Sequence, residues 1–253
     1  MNVRINLLLL LLPICFHAQA EHLEVTADEW CPLSCQPNAE KPGYAVEILQ
    51  AVFPQETIHY RVTPWKRAVL RTTSGTSEAL IGAVQDLAAK EGLLIGQEPI
   101  GYAQDCLYVA SGHPARYRGK ADDLNSLRRV GVSLGYVYTE GFKEWLTRPA
   151  NKPKIFTASG DQPAALNLSK LREGTLDAVI ETSMVMDYLL RQAELAETLV
   201  SVGCDTPDPV YVAFGKGSLG EERARQFDKG LALRSSGKLA EILANYDLED
   251  WKQ

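Results

Sequence analysis

The first apolar block, residues 7–12, follows a positive stretch around Arg4 and gives way at Pro13, His17 and Gln19. It falls short of the roughly 20 apolar residues a membrane span needs. With Ala18-Gln19-Ala20 ahead of Glu21-His22, it predicts a secretory signal over 1–20, cleaved after Ala20. Cys15 follows Ile14, not the small residue that lipid attachment favours, which argues against a lipoprotein anchor. No second run of that length follows, so the expected mature chain has no membrane span. Beyond the signal, the spacing of apolar positions switches repeatedly between two and about three and a half. Leu23-Glu24-Val25-Thr26 reads as a strand, and 44–53 as a helix after the turn residues Pro42-Gly43. The alternation continues with a strand over 58–62, a helix from Pro64-Trp65 to Ser74-Gly75, and a buried strand at Ala79-Leu80-Ile81.

A second series begins past residue 128. Arg129-Val130-Gly131-Val132 predicts a strand, 139–146 a helix, Lys154-Ile155-Phe156 a strand and 163–173 a helix. A strand over 177–180, a helix over 184–193 and a strand over 211–214 come next. Helices over 221–233 and 238–246 close the chain. Strands alternating with helices predict α/β architecture with mainly parallel sheets flanked by helices. One device recurs: a turn of small or charged residues ahead of an acidic strand start, at Ser74-Gly75-Thr76-Ser77-Glu78 and again at Arg172-Glu173-Gly174-Thr175-Leu176-Asp177. A similar half on each side of the middle predicts two lobes.

Charge narrows the partners. The chain has 26 basic and 32 acidic residues, a formal net charge of −6. Losing Arg4 with the signal makes the balance slightly more acidic, which argues against nucleic acid and anionic membrane surfaces as partners. A small molecule is the expected partner. Cleavage would leave Cys31, Cys35, Cys106 and Cys204 in an oxidising compartment, where disulfides are expected. Four cysteines allow three pairings. The close spacing of Cys31 and Cys35 favours a local bridge, leaving Cys106 for Cys204; half a zinc site is disfavoured because no histidine lies nearby at ligand spacing.

The order of motifs resembles the bacterial family 3 extracellular solute-binding proteins over nearly the whole mature chain. Early on, Trp30-x-Pro32, Gly43-Tyr44-Ala45-Val46-Glu47-Ile48, Pro64-Trp65-Lys66-Arg67, Ser74-Gly75 to Gly82 and Pro99-Ile100-Gly101-Tyr102 carry the resemblance. Later come Leu124-Asn125-Ser126-Leu127, Val130-Gly131-Val132, Gly174-Thr175-Leu176-Asp177-Ala178-Val179 and Leu233-Arg234-Ser235-Ser236-Gly237-Lys238-Leu239 through Trp251. It implies a type II periplasmic-binding fold, two lobes joined by crossover strands near 104–109 and 210–214. The implied segments are 21–105 and 211–253 for lobe one and 106–210 for lobe two. Cys106 and Cys204 would then flank the crossovers, a pairing open to them only with Cα atoms within about 7 Å. The resemblance also implies a periplasmic monomer that needs no cofactor, binds a small polar ligand between its lobes, and passes it to an ABC-type permease or a sensor.

Candidate contacts follow from those positions. Trp30, Tyr44 and Trp65 would offer aromatic faces to the ligand. The planar fork of Arg67 suits a carboxylate or phosphate, against the plain alternative of a solvated helix residue. The loop Ser133-Leu134-Gly135-Tyr136 follows a strand and precedes a helix, so its amides make an anion seat, although a tight turn explains Gly135 as well. Glu181, directly after a strand, is placed to receive a ligand cation. The resemblance also exposes two departures. Where amino-acid receptors of the family place a carboxylate-clamping arginine, an ungapped count puts Lys90 and a one-residue shift puts Ala89. Their amino-group aspartate aligns with Thr182, with Glu181 one residue early. A standard α-amino acid is therefore in doubt as ligand; a modified amino acid, a polyamine and a small acid stay open. The competing reading is a dehydratase-like enzyme with Glu181 as general acid, helped by Lys90 or Arg67. No nucleophile and base pair supports it, since His22, His59 and His113 are scattered. A third reading, a scaffold with a vestigial cleft, conflicts with aromatic and charged residues at cleft positions.

Overall fold

A computed structural model of the chain describes residues 22–251. The expected signal over 1–20 lies outside them. Among the described residues, no helix is long and apolar enough to cross a membrane.

Two sheets organise the structure. The first part of the chain supplies β1 (His22–Ala27), α1 (Tyr44–Val52), β2 (Thr57–Val62), α2 (Trp65–Thr73), β3 (Ala79–Ala83), α3 (Gln85–Glu91), β4 (Leu94–Ile95) and β5 (Gly101–Ala103). The middle supplies β6 (Asp105–Ala110), β7 (Val130–Ser133), α4 (Glu140–Thr147), β8 (Ile155–Ala158), α5 (Pro163–Arg172), β9 (Ala178–Thr182), α6 (Ser183–Gln192) and β10 (Leu199–Cys204). The chain then returns through β11 (Asp208–Phe214), α7 (Ser218–Gly230) and α8 (Lys238–Ala244).

The first sheet runs β2-β1-β3-β11-β4, with β5 also on β11, and the second runs β10-β6-β9-β7-β8. Read from their parallel ends, the two share one plan. Three parallel strands, β2-β1-β3 and β8-β7-β9, are followed by an antiparallel strand, β11 or β6, that has crossed from the other half. The sheets are thus parallel only in their three-strand cores. A strand arriving from the opposite lobe enters from the cleft side, which forces it to run against its neighbours.

The recurring acidic turns gain a structural role from this plan. Glu78, just before β3, accepts the Glu24 N–H of β1 at 3.1 Å, and Asp177, just before β9, accepts the Arg128 and Arg129 N–H groups ahead of β7 at 2.7 and 3.1 Å. In both halves the carboxylate satisfies the backbone at the start of the central strand of the parallel trio, β1 or β7, which would otherwise lack partners.

Apolar clusters cover both faces of each sheet. On the second sheet, Phe142 and Trp145 of α4 are fully buried, worth about 2–3 kcal/mol each. The crossovers lie side by side. The Asp205 N–H donates to Asp105 O at 2.9 Å, Gln104 Nε2 donates to Asp205 O at 3.1 Å, and Cys106 is bonded to Cys204 with Cα atoms 3.9 Å apart. Cys31 and Cys35 form the second disulfide. The elements missing from the sequence reading are short or at edges: α3, β4, β5 and the bulged edge strand β10. Their periodic stretches are too brief to stand out from loops.

Candidate functional site

One wall of the interlobe cleft is built at the carboxyl end of β1. Asp28 follows Ala27, and the next turn is closed by Trp30 N–H to Ser34 O at 2.7 Å, Ser34 Oγ to Asp28 O at 3.0 Å, and the Cys31–Cys35 bridge. This turn presses on the start of α1, where the Tyr44 and Ala45 N–H groups donate to Pro32 O and Leu33 O at 3.0 and 3.1 Å. Gly43 permits that approach: its φ is +115°, and a Cβ there would lie 2.4 Å from Leu33 O. Trp30 is thereby aimed into the cleft, beside Trp65, the first residue of α2.

The opposite wall is the turn after β7. The Tyr136 N–H donates to Ser133 O at 3.3 Å, and Gly135, at φ +86°, lies so close to α2 that a Cβ would meet the Lys66 side chain at 2.8 Å. Tyr136 then inserts between the lobes. Its ring meets Trp30 and Trp65 edge-on, with centroids 6.2 and 6.1 Å apart, and its hydroxyl donates to Asp28 Oδ2. With the tyrosine in place, the remaining cavity is about 50 Å³, room for a few waters. A larger ligand requires the lobes to part and Tyr136 to withdraw.

Three buried carboxyls converge here, one from each part of the frame. Asp28 comes from lobe one, Asp105 from the crossover and Glu181 from the end of β9. Glu181 is 1% exposed. Its Oε1 accepts the Trp30 indole N–H at 3.4 Å and the Thr182 N–H at 3.0 Å, and Ser133 Oγ donates to Oε2 at 3.4 Å. Burial pushes it up to about 8; the charges of Asp105 and Asp28 push the same way, while the two N–H donors oppose. Burial likewise raises Asp28 to about 6 against the Tyr136 hydrogen bond, and Asp105 to about 6 against the Thr182 hydroxyl, which donates at 3.1 Å. Among the described residues the one buried basic side chain is Arg223, held by Glu56 on α7's side of lobe one. The cleft is a preformed site of negative potential without a built-in cation. Its outer mouth, a cavity of about 450 Å³, adds Asp86, Glu140, Glu144 and Asp208 against Lys143, which pairs across the lobes with Asp86 at 3.9 Å.

The residues expected from sequence separate into two groups. Trp30, Trp65, Tyr136 and Thr182 line the cavity, Glu181 lies directly behind it, and Gly135 makes the turn that delivers Tyr136. Tyr44 is buried in the lobe-one core, its hydroxyl 3.9 Å from Met184 Sδ. Arg67 is exposed on the outer face of α2, and the Lys90 side chain is 79% exposed beside Glu91 at the far end of α3. Neither basic group lines the cavity. Helix periodicity explains this: Trp65, Ala68, Val69 and Thr72 form the buried stripe of α2, and Arg67 falls off it. Sequence reading missed Asp28 and Asp105. A signal existed, since Asp28 directly follows β1 much as Glu181 sits one residue before the end of β9.

No protein-family model and no curated protein sequence matches the chain. Solved structures do. A histidine kinase sensor domain with similarity to periplasmic binding proteins is 20% identical, covers 91% of this chain and 99% of its own, and superposes with a TM-score of 0.75. An ancestral arginine-binding protein bound to arginine is 17% identical over 91% and 99%, with a TM-score of 0.75. An ancestral amino-acid-binding protein, a precursor of cyclohexadienyl dehydratase, is 20% identical over 89% and 94%, with a TM-score of 0.71. At these identities the likeness concerns the fold: two α/β lobes of the type II periplasmic-binding architecture.

Proposed function

We propose that the chain is an exported, monomeric solute-binding protein whose lobes, 21–105 with 211–253 and 106–210, close on a small ligand bearing at least one protonated amine. A membrane permease of the ABC type or a sensor would read the closed shape. The observation that carries this is the convergence of Asp28, Asp105 and Glu181 around two tryptophan rings with no buried base among them. A desolvated ammonium next to a carboxylate gains several kcal/mol at the effective dielectric of such a site, and aromatic faces favour a cation further. The architecture accommodates basic ligands, as the arginine-bound neighbour illustrates. Among the described residues no buried arginine lies in this cleft to clamp a ligand carboxylate, so amines lacking an α-carboxylate should bind at least as well as amino acids.

Thermal unfolding of the purified protein against amines, polyamines, amino acids, organic acids and sugars tests this, with mass spectrometry on each stabilising compound. Cationic amines should raise the midpoint and be recovered intact. Stabilisation confined to acids or sugars would overturn the reading.

Arg67→Ala and Lys90→Ala should each alter affinity for such a ligand by less than about threefold, the scale of an exposed charge. Calorimetric titration checks this, and a tenfold loss from either would return that residue to the binding surface.

One observation favours a second reading. A buried carboxyl titrating near 8, as Glu181 does, is a proton donor at neutral pH, and one structural neighbour is a dehydratase precursor. Against it, Lys90 and Arg67, the basic helpers that reading assigns to Glu181, lie outside the cavity. Conversion of a stabilising compound in the assay above would decide for the enzyme.

A further inference from the structure

We propose that His22, Glu24 and His59 form a binding site for one divalent transition-metal ion on the first sheet, remote from the cleft. His22 and Glu24 are two residues apart on β1 and so project from the same side of the strand. His59 is the register partner of Glu24 on the parallel neighbour β2. Side-chain donor atoms of all three lie within 4.8 Å of one another. Glu24 Oε1 and His59 Nδ1 are already 2.9 Å apart, the His22 and His59 rings lie side by side with centroids 5.0 Å apart, and the Glu24 backbone is pinned by Glu78.

Donor atoms around a single ion at about 2.0–2.2 Å must stand roughly 3–3.5 Å from each other. Glu24 and His59 meet that spacing. His22 reaches it by side-chain rotation, which is unhindered because both imidazoles are at the surface. Two imidazoles and one carboxylate select borderline ions such as Zn²⁺, Co²⁺, Ni²⁺ or Cu²⁺ over Mg²⁺ and Ca²⁺, which demand oxygen. Three protein ligands leave positions for water or an outside donor. The site sits at the start of β1, whereas Asp28 in the cleft follows its end, so six extended residues put about 20 Å between them. The ion would clasp β1 to the edge strand β2 without touching the ligand cavity, and the inference is independent of the function proposed for it.

Calorimetric titration of untagged, chelator-treated protein with Zn²⁺, repeated with Co²⁺ to read its visible absorption, tests the site. One ion per chain is expected, with no uptake of Mg²⁺ or Ca²⁺ and weaker binding as pH falls and the imidazoles protonate. His22→Ala and His59→Ala should each weaken binding at least about tenfold, and Glu24→Gln should change the cobalt spectrum. The metal-free melting temperatures of the histidine variants show whether they fold as the parent does, and His113→Ala is the control that should change nothing. Absence of one-to-one binding, or binding unaltered in both His22→Ala and His59→Ala, would overturn the proposal.

Discussion

Glu181→Gln is expected to lower affinity for a cationic ligand by about 2 kcal/mol or more, roughly 30-fold, and to flatten the pH dependence of both binding and stability. The amide fits the site. Its oxygen can accept the Trp30 and Thr182 N–H groups, and its NH₂ can face Ser133 Oγ, so the change removes the charge and little else. The wild-type carboxyl titrates near 8 in the fold against an ordinary 4.5. A group raised in this way stabilises the ligand-free fold fully below its unfolded value, and that contribution is lost as pH rises through the folded one. Asp28 and Asp105, raised from 3.8 to about 6, act in the same direction at lower pH. The Glu181 contribution to stability should therefore decline between about pH 4.5 and 8, and Glu181→Gln should abolish that part of the decline. A bound ammonium reverses the preference by favouring the ionised acid, so binding near pH 7 should release a proton and tighten as pH rises. Melting curves at pH 5, 6.5 and 8, and calorimetry in two buffers of different ionisation enthalpy, read both effects. A variant with wild-type affinity and an unchanged pH profile would show that Glu181 is not the cation's partner.

Cys106→Ala combined with Cys204→Ala should cost about 4–5 kcal/mol of stability, a large part of the 5–15 kcal/mol typical of a folded domain. The residues are 98 positions apart, so their bond removes much of the freedom of the unfolded chain. In the fold they are register partners on β6 and β10, where the two crossovers meet. Urea unfolding of parent and variant, with and without reductant, measures the loss, and reductant should bring the parent toward the variant. Equal midpoints in all four samples would mean that the bond contributes nothing. The Cys31–Cys35 bridge spans only four positions, and the same chain-entropy argument gives about 2 kcal/mol for its loss. It holds the turn bearing Trp30, so its removal should show more in ligand affinity than in unfolding.

Much of the frame was legible along the chain. The period changes at 23–26, 44–53, 58–62 and their counterparts past 128 mark real strands and helices, because the side of an element a residue faces depends on a few neighbours. The two acidic turns announced the repeated half, since each carboxylate satisfies backbone groups at the start of a nearby strand. The resemblance supplied the crossovers that periodicity could not. Trp30, Trp65 and Thr182 were placed by the resemblance and Tyr136 by its strand-to-helix loop, and the structure brings the four together.

What the sequence by itself determined is the order and type of the elements, the two-lobed plan, and cysteines positioned to pair as they do. Tertiary structure alone decided the chemistry of the cleft. Asp28, Asp105 and Glu181 are 77 and 76 positions apart along the chain and look like any surface acids until three backbone segments bring them together out of water. Arg67 and Lys90 look like ligand clamps until helix rotation turns them to solvent. Tyr136 fills the space between two tryptophans only when the lobes meet. The physical reason is common to all three. Periodicity is a local property, whereas the desolvation that raises a carboxyl's proton affinity depends on what distant segments pack around it.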